Sequence, residues 1–360
     1  MSEPRARLDG PVRTPAAWKG PELEPDSWVV RLEADEVADI DCALAHARSR
    51  VSDWRQLTQD DFPLERMASR FVDLNRELRE GRGLLVLRGL DIRRYRAPDI
   101  FLLWMGISSW FGTVIPQNKE GELIGAVTDG GAVIKDAQGR LVPARTSAPG
   151  DDQNPNFRQY KSRADLRFHN DSADLVGLLC VQSSKSGGMS TVTSSMAVYN
   201  ALLAEAPEAL EWLYDGFHYD VRGEGPSRKL NEVTHHKVPV FSYFEGRLSC
   251  RFNPKPIETA QLKMGEPLSP ERLAAVRLME RLAGRSDLRL DMWLEPGDMQ
   301  ILNNLVMLHS RTEFEDWPEP ERRRLLLRSW INLRDGPRLA PEFANRYNAG
   351  ERTGIPEGQH

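Results

Sequence analysis

Arg167-Phe168-His169-Asn170-Asp171 is the segment around which the rest of the chain makes sense. Read as a strand, it turns His169 and Asp171 to one face, because side chains alternate with a period of two. An imidazole and a carboxylate so placed can reach one small cation together. A more distant histidine would complete the two-histidine, one-carboxylate set that holds non-haem Fe(II) and leaves coordination positions open. The pair alone is a weak signal in a chain with seven histidines and 53 acidic residues, and a strand with a polar outer face is the plain alternative. Residues further along the chain decide between the two.

Gly187-Gly188-Met189-Ser190-Thr191 comes next. The last third carries Gly297-Asp298-Met299-Gln300-Ile301-Leu302-Asn303-Asn304, then His309, then Arg322-Arg323-Arg324-Leu325-Leu326-Leu327-Arg328-Ser329-Trp330. With these motifs in this order, the sequence from Trp28 to Leu333 resembles the Fe(II)/2-oxoglutarate-dependent dioxygenases of the taurine dioxygenase/TfdA, clavaminate-synthase-like group. The resemblance implies an iron held by His169, Asp171 and His309, with O2 and 2-oxoglutarate as cosubstrates. It implies Arg324 on the distal carboxylate of 2-oxoglutarate, aided by the hydroxyl of Ser190, with Thr191 the neighbour most easily confused with it. Arg328, four residues on, would lie nearer the substrate, and so would Asn118, although a turn-forming asparagine is an equal reading there. The implied reaction releases succinate and CO2 while a substrate C–H is oxidised. Relatives that halogenate carry Gly or Ala where this chain has Asp171, which favours hydroxylation. Desaturation, epoxidation or C–heteroatom cleavage is the alternative outcome, and a binding barrel without activity is the remote one.

The bulk composition is compatible with such an enzyme. The 360 residues are 40% hydrophobic, enough for a buried core, and a net charge of −5 without a basic stripe argues against nucleic acid. No apolar run approaches a membrane span, and the first residues lack a signal-peptide core. Cys42, Cys180 and Cys250 are odd in number and widely spaced, which reads as reduced thiols in a cytoplasmic protein. The expected partner is a small molecule, with a homo-oligomer left open.

Periodicity divides the chain further. Residues 1–25 are rich in Pro, Gly and charge and read as a loose arm. Residues 26–335 read as one domain, and the polar stretch 133–164 just before the His-x-Asp strand reads as a lid. Residues 336–360 read as a partly ordered tail. Helices are expected at Ala34–Arg50, Pro63–Leu78, Ala97–Phe111, Met196–Tyr214 and Ser269–Ala283, with Trp104 and Trp110 in the core. Strands are expected at Leu84–Gly89, Val176–Ser183, Thr191–Ser194, Leu288–Trp293, Met299–Leu302 and Arg324–Leu333, and a hairpin at Val238–Phe252. Helices before and between short strands suit an α+β fold with a jelly-roll core. Its more specific name, a double-stranded β-helix, is an implication of the family resemblance. Among the arginines, strand alternation puts Arg322, Arg324 and Arg328 on one face and Arg323 on the other. The distance from His309 to Arg324 is one residue longer than in some relatives, which would favour Arg323 instead.

Overall fold

The computed structural model describes residues 6–148, 158–350 and Ile355. The chain begins with β1 (Val29–Arg31), α1 (Ala34–Arg50), α2 (Ala68–Glu80), β2 (Leu84–Arg88) and α3 (Ala97–Phe111). Next come β3 (Thr113–Ile115), β4 (Ile124–Val127), the hairpin β5 (Val133–Lys135) and β6 (Leu141–Pro143), β7 (Leu166–His169) and β8 (Leu175–Gln182). The middle holds β9 (Ser186–Gly187), β10 (Ser190–Ser194), α4 (Ser195–Glu205), α5 (Ala209–Asp215) and the hairpin β11 (Phe241–Phe244) and β12 (Arg247–Cys250). After these come α6 (Pro254–Met264), α7 (Pro270–Ala283), β13 (Arg289–Met292), β14 (Met299–Asn303) and β15 (Met307–Arg311). The last elements are β16 (Phe314–Glu315), β17 (Leu325–Asn332) and α8 (Pro341–Ala344).

Two sheets carry the fold among the described residues. The larger runs β1-β2-β14-β8-β17-β3, with β4 also paired to β17; the smaller runs β13-β10-β15-β7. All ladders are antiparallel except β1 with β2. Alternation sorts the larger sheet's side chains. Leu85, Leu87, Met299, Ile301, Leu325 and Leu327 pack under α1, α2 and α3, while Leu84, Val86, Val176, Leu302 and Trp330 meet Val192 and Met307 of the smaller sheet. The protein is therefore a mixed α+β molecule whose two sheets face each other, with no strand of the described residues joining them into a closed barrel.

Two glycines let the outer layer approach this closely. A Cβ on Gly177 of β8 would lie 2.8 Å from the Trp104 ring, and one on Gly106 of α3 would overlap the Phe62 ring. Helix propensity favours alanine over glycine inside a helix by about 1 kcal/mol. Phe62 is fully buried and cannot retreat, however, and overpacking a dense core costs about 1–3 kcal/mol. Gly106→Ala is therefore expected to lower stability in a denaturant titration; a gain would mean that the ring moves freely.

Several expectations need correction. Residues 6–25 are not loose: Val12, Ala16 and Trp18 are buried, the Trp18 indole donates to the Arg82 carbonyl at 3.0 Å, and Asn200 bonds both ways to the Val12 backbone. Sparse apolar residues hid this, since three anchors suffice when backbone groups find partners. The helix expected from Pro63 begins at Ala68, and the one expected over Met196–Tyr214 breaks around Pro207, which cannot continue a helix. Of the tail, α8 docks with Phe343 fully buried, while residues 351–354 and 356–360 lie outside the described residues. Residues 149–157 of the expected lid also lie outside them. No helix of the described residues is long and apolar enough to cross a membrane.

Candidate metal centre

His169 ends β7 and His309 sits in the middle of β15, directly opposite it in the ladder, with ring centroids 4.3 Å apart. Asp171 lies two residues beyond β7, in a turn that Asn170 and Asn304 fix. The Asn170 amide donates to the carbonyls of Cys250 and Asn304, each at 2.9 Å, and accepts from Phe252 N at 3.0 Å. Asn304 accepts from Asp171 N at 3.1 Å. This explains much of the Gly-Asp-to-Asn-Asn motif. Asp298 grips Arg88 with hydrogen bonds of 2.9 and 2.6 Å, Asn303 ties β14 to α2 through the Leu78 carbonyl, and Asn304 presents Asp171.

His169, Asp171 and His309 are all buried and form the candidate metal-holding group found among the described residues, with donor atoms within 4.8 Å of one another. His169 Nε2 lies 4.0 Å and His309 Nε2 3.8 Å from the Asp171 carboxylate. Those separations are too long for hydrogen bonds and leave a gap between the donors for a small cation. His169 Nδ1 donates to the Arg167 carbonyl at 2.8 Å, the bond that directs Nε2 toward a metal. Burial lowers the pKa of both imidazoles, His309 to about 3, so both remain neutral with lone pairs free. Burial alone would raise the Asp171 pKa, but the Arg328 guanidinium beside it outweighs this and holds it at about 2. A divalent cation needs two neutral nitrogens and one ionised oxygen, and this donor set supplies them.

Around this centre the structure turns two buried arginines inward: Arg328, on the face of β17 that meets the smaller sheet, and Arg324, the residue just before that strand, although the expected strand Arg324–Leu333 includes it. Arg323 points away and donates to the Trp317 and Pro318 carbonyls. Arg322, expected to share the inner face, belongs to a 3-10 turn outside the strand and stacks on Trp317. Arg328 reaches both Asp171 oxygens at 3.3 Å and Gln117 Oε1 at 2.8 Å, beneath the Tyr160 ring. Arg324 lies over Phe314 with its Nη1 buried and without a hydrogen-bond partner; burial lowers its pKa to about 10, so it remains charged.

Ser190 pairs across the ladder with Arg311 and meets the Gln300 amide at 3.2 Å in the inter-sheet space, whereas Thr191 bonds Asp291 on the other face. The inward hydroxyl is Ser190. The preceding Gly188 has φ +78, and a Cβ there would stand 3.0 Å from Arg324 Nε, so the Gly-Gly turn lets the arginine pass.

Asn118 is the one candidate that the structure takes away from the site. Its carbonyl oxygen caps the backbone of Glu120 and Glu122 and its amide bonds the Glu122 carboxylate, so it builds a turn. The neighbour that reaches the site is Gln117. Arg311 was missed, although the period of two joins it to His309 within β15. It stacks on Phe314 from 4.6 Å, and the Ser162 and Ala164 carbonyls hold it. Arg346 was missed too: it donates to the Asp171 carbonyl at 3.1 Å from the tail, and no local pattern signals that long-range return.

The family model described as "Taurine catabolism dioxygenase TauD, TfdA family" matches residues 53–330. FR-33289 synthase of Streptomyces rubellomurinus is 31% identical over 340 residues, covering 91% of this chain and 92% of that protein. Taurine hydroxylase-like protein SAT17 of Stachybotrys chartarum is 26% identical, covering 89% and 80%. Among solved structures, asparagine oxygenase in complex with Fe(II), 2S,3S-3-hydroxyasparagine and succinate aligns with a TM-score of 0.62 at 16% identity, over 85% of this chain and 93% of that one. The non-heme iron oxygenase OrfP in complex with Fe and alpha-ketoglutaric acid gives 0.59 at 13% identity, over 84% and 94%. With a family model matched along most of its length and a relative this similar almost end to end, the chain belongs to the TauD/TfdA family of Fe(II)- and 2-oxoglutarate-dependent dioxygenases.

Proposed function

We propose that the protein hydroxylates an unactivated C–H bond of a small organic acid or amino-acid-like molecule, with release of succinate and CO2. The observation that carries this reading is the pairing, in one inter-sheet space, of a buried two-histidine, one-carboxylate set with an inward arginine whose buried Nη1 lacks an acceptor. His169, Asp171 and His309 would hold Fe(II), which when bound with O2 and 2-oxoglutarate supplies the oxidising chemistry.

The chain's own residues orient and exclude. His169 is fixed through Nδ1 on the Arg167 carbonyl, and Arg328 with Gln117 keeps Asp171 ionised and aimed. Arg324 would receive the distal carboxylate of 2-oxoglutarate, because a planar guanidinium offers two parallel donors. Ser190 would add a hydroxyl and Phe314 a ring face under the guanidinium. Tyr160 roofs Arg328, and with it the ionised carboxylate, against water. The two facing sheets would be the halves of a double-stranded β-helix. A carboxylate at position 171 rather than Gly or Ala supports hydroxylation over halogenation; desaturation, epoxidation or cleavage would use the same residues.

The test is succinate release from Fe(II)-loaded protein across amino acids, sulfonates, phosphonates, aryloxy acids and betaines. Turnover above the substrate-free rate with a hydroxylated product is expected. Failure to take up either Fe(II) or 2-oxoglutarate, by anaerobic titration, would sink the reading.

A further inference from the structure

Asp171 lies outside β7, so its carboxylate is only as well placed as the turn that carries it. Asn304 takes the Asp171 N–H at 3.1 Å. The Asp171 carbonyl is held from elsewhere, by the Arg346 guanidinium, which donates to it at 3.1 Å. One residue on, the Tyr347 hydroxyl donates to Ser172 Oγ at 2.8 Å. Each of these donors comes from the C-terminal tail, 175 residues beyond its acceptor.

The tail is fastened on both sides of this pair. Before it, α8 docks with Phe343 fully buried against the Arg251 guanidinium, and the Glu342 carbonyl accepts from His236 Nε2 at 2.8 Å. After it, the Asn348 amide donates to Glu232 at 2.7 Å and to the Val233 carbonyl at 3.1 Å, while its oxygen accepts from His235 N at 3.0 Å. The φ of +57 at Asn348 is a left-handed conformation that asparagine adopts more readily than most residues. Arg346 and Tyr347 are thus strung between two fixed points, facing the metal turn. The family match ends at residue 330, so the tail lies beyond the matched part.

We propose that residues 341–350 are a strap that sets the Asp171 carboxylate for the metal, with Arg346 and Tyr347 as its positioning residues. The inference rests on the metal-ligand roles in the dioxygenase reading above. A ligand has to be held within about 0.5 Å and 10–20° of its working geometry. Ladder bonds do this for His169 and His309; Asp171 has no ladder and depends on side chains at both ends of its own backbone. Linkage makes the relation reciprocal: a docked strap that favours the metal is itself favoured by bound metal, by the same factor.

The experiment uses Co(II), whose affinity is read by calorimetry and whose coordination is read by visible absorption. Arg346→Met keeps the bulk and removes the donors, Arg346→Lys keeps a cation that can donate, and Tyr347→Phe removes one hydroxyl. Outer partners of metal ligands cost about 10–100-fold in metal affinity when lost. Arg346→Met is expected to weaken Co(II) by about that factor and to shift its absorption, and Arg346→Lys to recover most of both. Tyr347→Phe, which loses one neutral hydrogen bond, should weaken Co(II) roughly fivefold. In the unaltered protein, hydrogen exchange across residues 341–350 should slow when Co(II) binds. Unchanged affinity and absorption in Arg346→Met, with only a lower melting temperature, would overturn the proposal and leave the tail as packing. Exchange in the tail that ignores the metal would overturn it too. Should Arg346→Met not fold, Tyr347→Phe and the exchange measurement still decide. Uptake of Co(II) without any affinity for 2-oxoglutarate would sink the dioxygenase reading instead, and the Co(II) results would still judge the strap.

Discussion

His309→Ala is expected to abolish substrate-dependent succinate formation and to reduce affinity for a divalent metal by well over a hundredfold, with the fold retained. Even outer partners of a metal site cost about 10–100-fold when removed, so loss of one of three ligands should cost more. The fold should survive because His309 carries little structural work. Its Nδ1 is buried without a partner, and its chief neighbour is the His169 ring. The ladder around it is held by backbone bonds that alanine keeps, so the stability change should stay within about 1–3 kcal/mol. Circular dichroism with a melting curve reports the fold, and anaerobic calorimetry with Fe(II) reports the metal. Asp171→Ala should lose metal as well, and it strips Arg328 of its carboxylate, leaving that buried charge with the neutral Gln117 oxygen as acceptor. Unaltered metal affinity in the His309→Ala protein would show that the ion, if any, sits elsewhere.

How much of the molecule is legible in its sequence depends on the range of the interaction. α1 and α3 fall where periodicity puts them, because each presents a continuous apolar face that only burial explains. The period of two places His169 in β7 and the inward Arg328 in β17, but the strands themselves stop short of Asp171 and Arg324, which lie just outside β7 and β17 and are held there by Asn304 and Asp316. The hidden part depends on distant partners. Asn118 and Gln117 are adjacent amides, and the sequence offers no reason why Gln117 should cross 211 residues to Arg328 while Asn118 closes its own turn. Arg251 looks like any strand-end arginine until α8 folds over it. Residues 6–25 have a linker's composition, yet their carbonyls and amides find Ser194, Tyr199 and Asn200, whose positions are fixed far along the chain. The site is thus local in its ligands and non-local in everything that aims them.

Arg324→Ala should weaken 2-oxoglutarate by about thirty-fold to several-thousand-fold, the equivalent of the 2–5 kcal/mol lost when one partner of a buried, hydrogen-bonded charge pair is removed. The guanidinium is 5% exposed, its Nη1 has no acceptor, and the nearby acid Asp316 is engaged by the Arg324 backbone N–H at 2.7 Å rather than by the guanidinium. The same facts give the variant an opposite signature without ligand. Removing an unpaired buried cation relieves a desolvation cost, so the ligand-free Arg324→Ala protein should melt no lower than the parent, apart from the packing lost against Phe314. Added 2-oxoglutarate should then raise the melting temperature of the parent and not of the variant. Arg323→Ala is the control within the register. Its side chain is occupied with the Trp317 and Pro318 carbonyls outside the sheet, so cosubstrate affinity should barely change. Arg328→Ala should differ from both, acting through Asp171 on metal retention and substrate coupling more than on 2-oxoglutarate itself. Anaerobic titration of 2-oxoglutarate into the three iron-loaded variants, followed by the metal-to-ligand absorption band, separates these effects. An intact affinity in Arg324→Ala beside a collapsed one in Arg323→Ala would mean that the cosubstrate is held from the outer face of β17, and the inward guanidinium would need another anion.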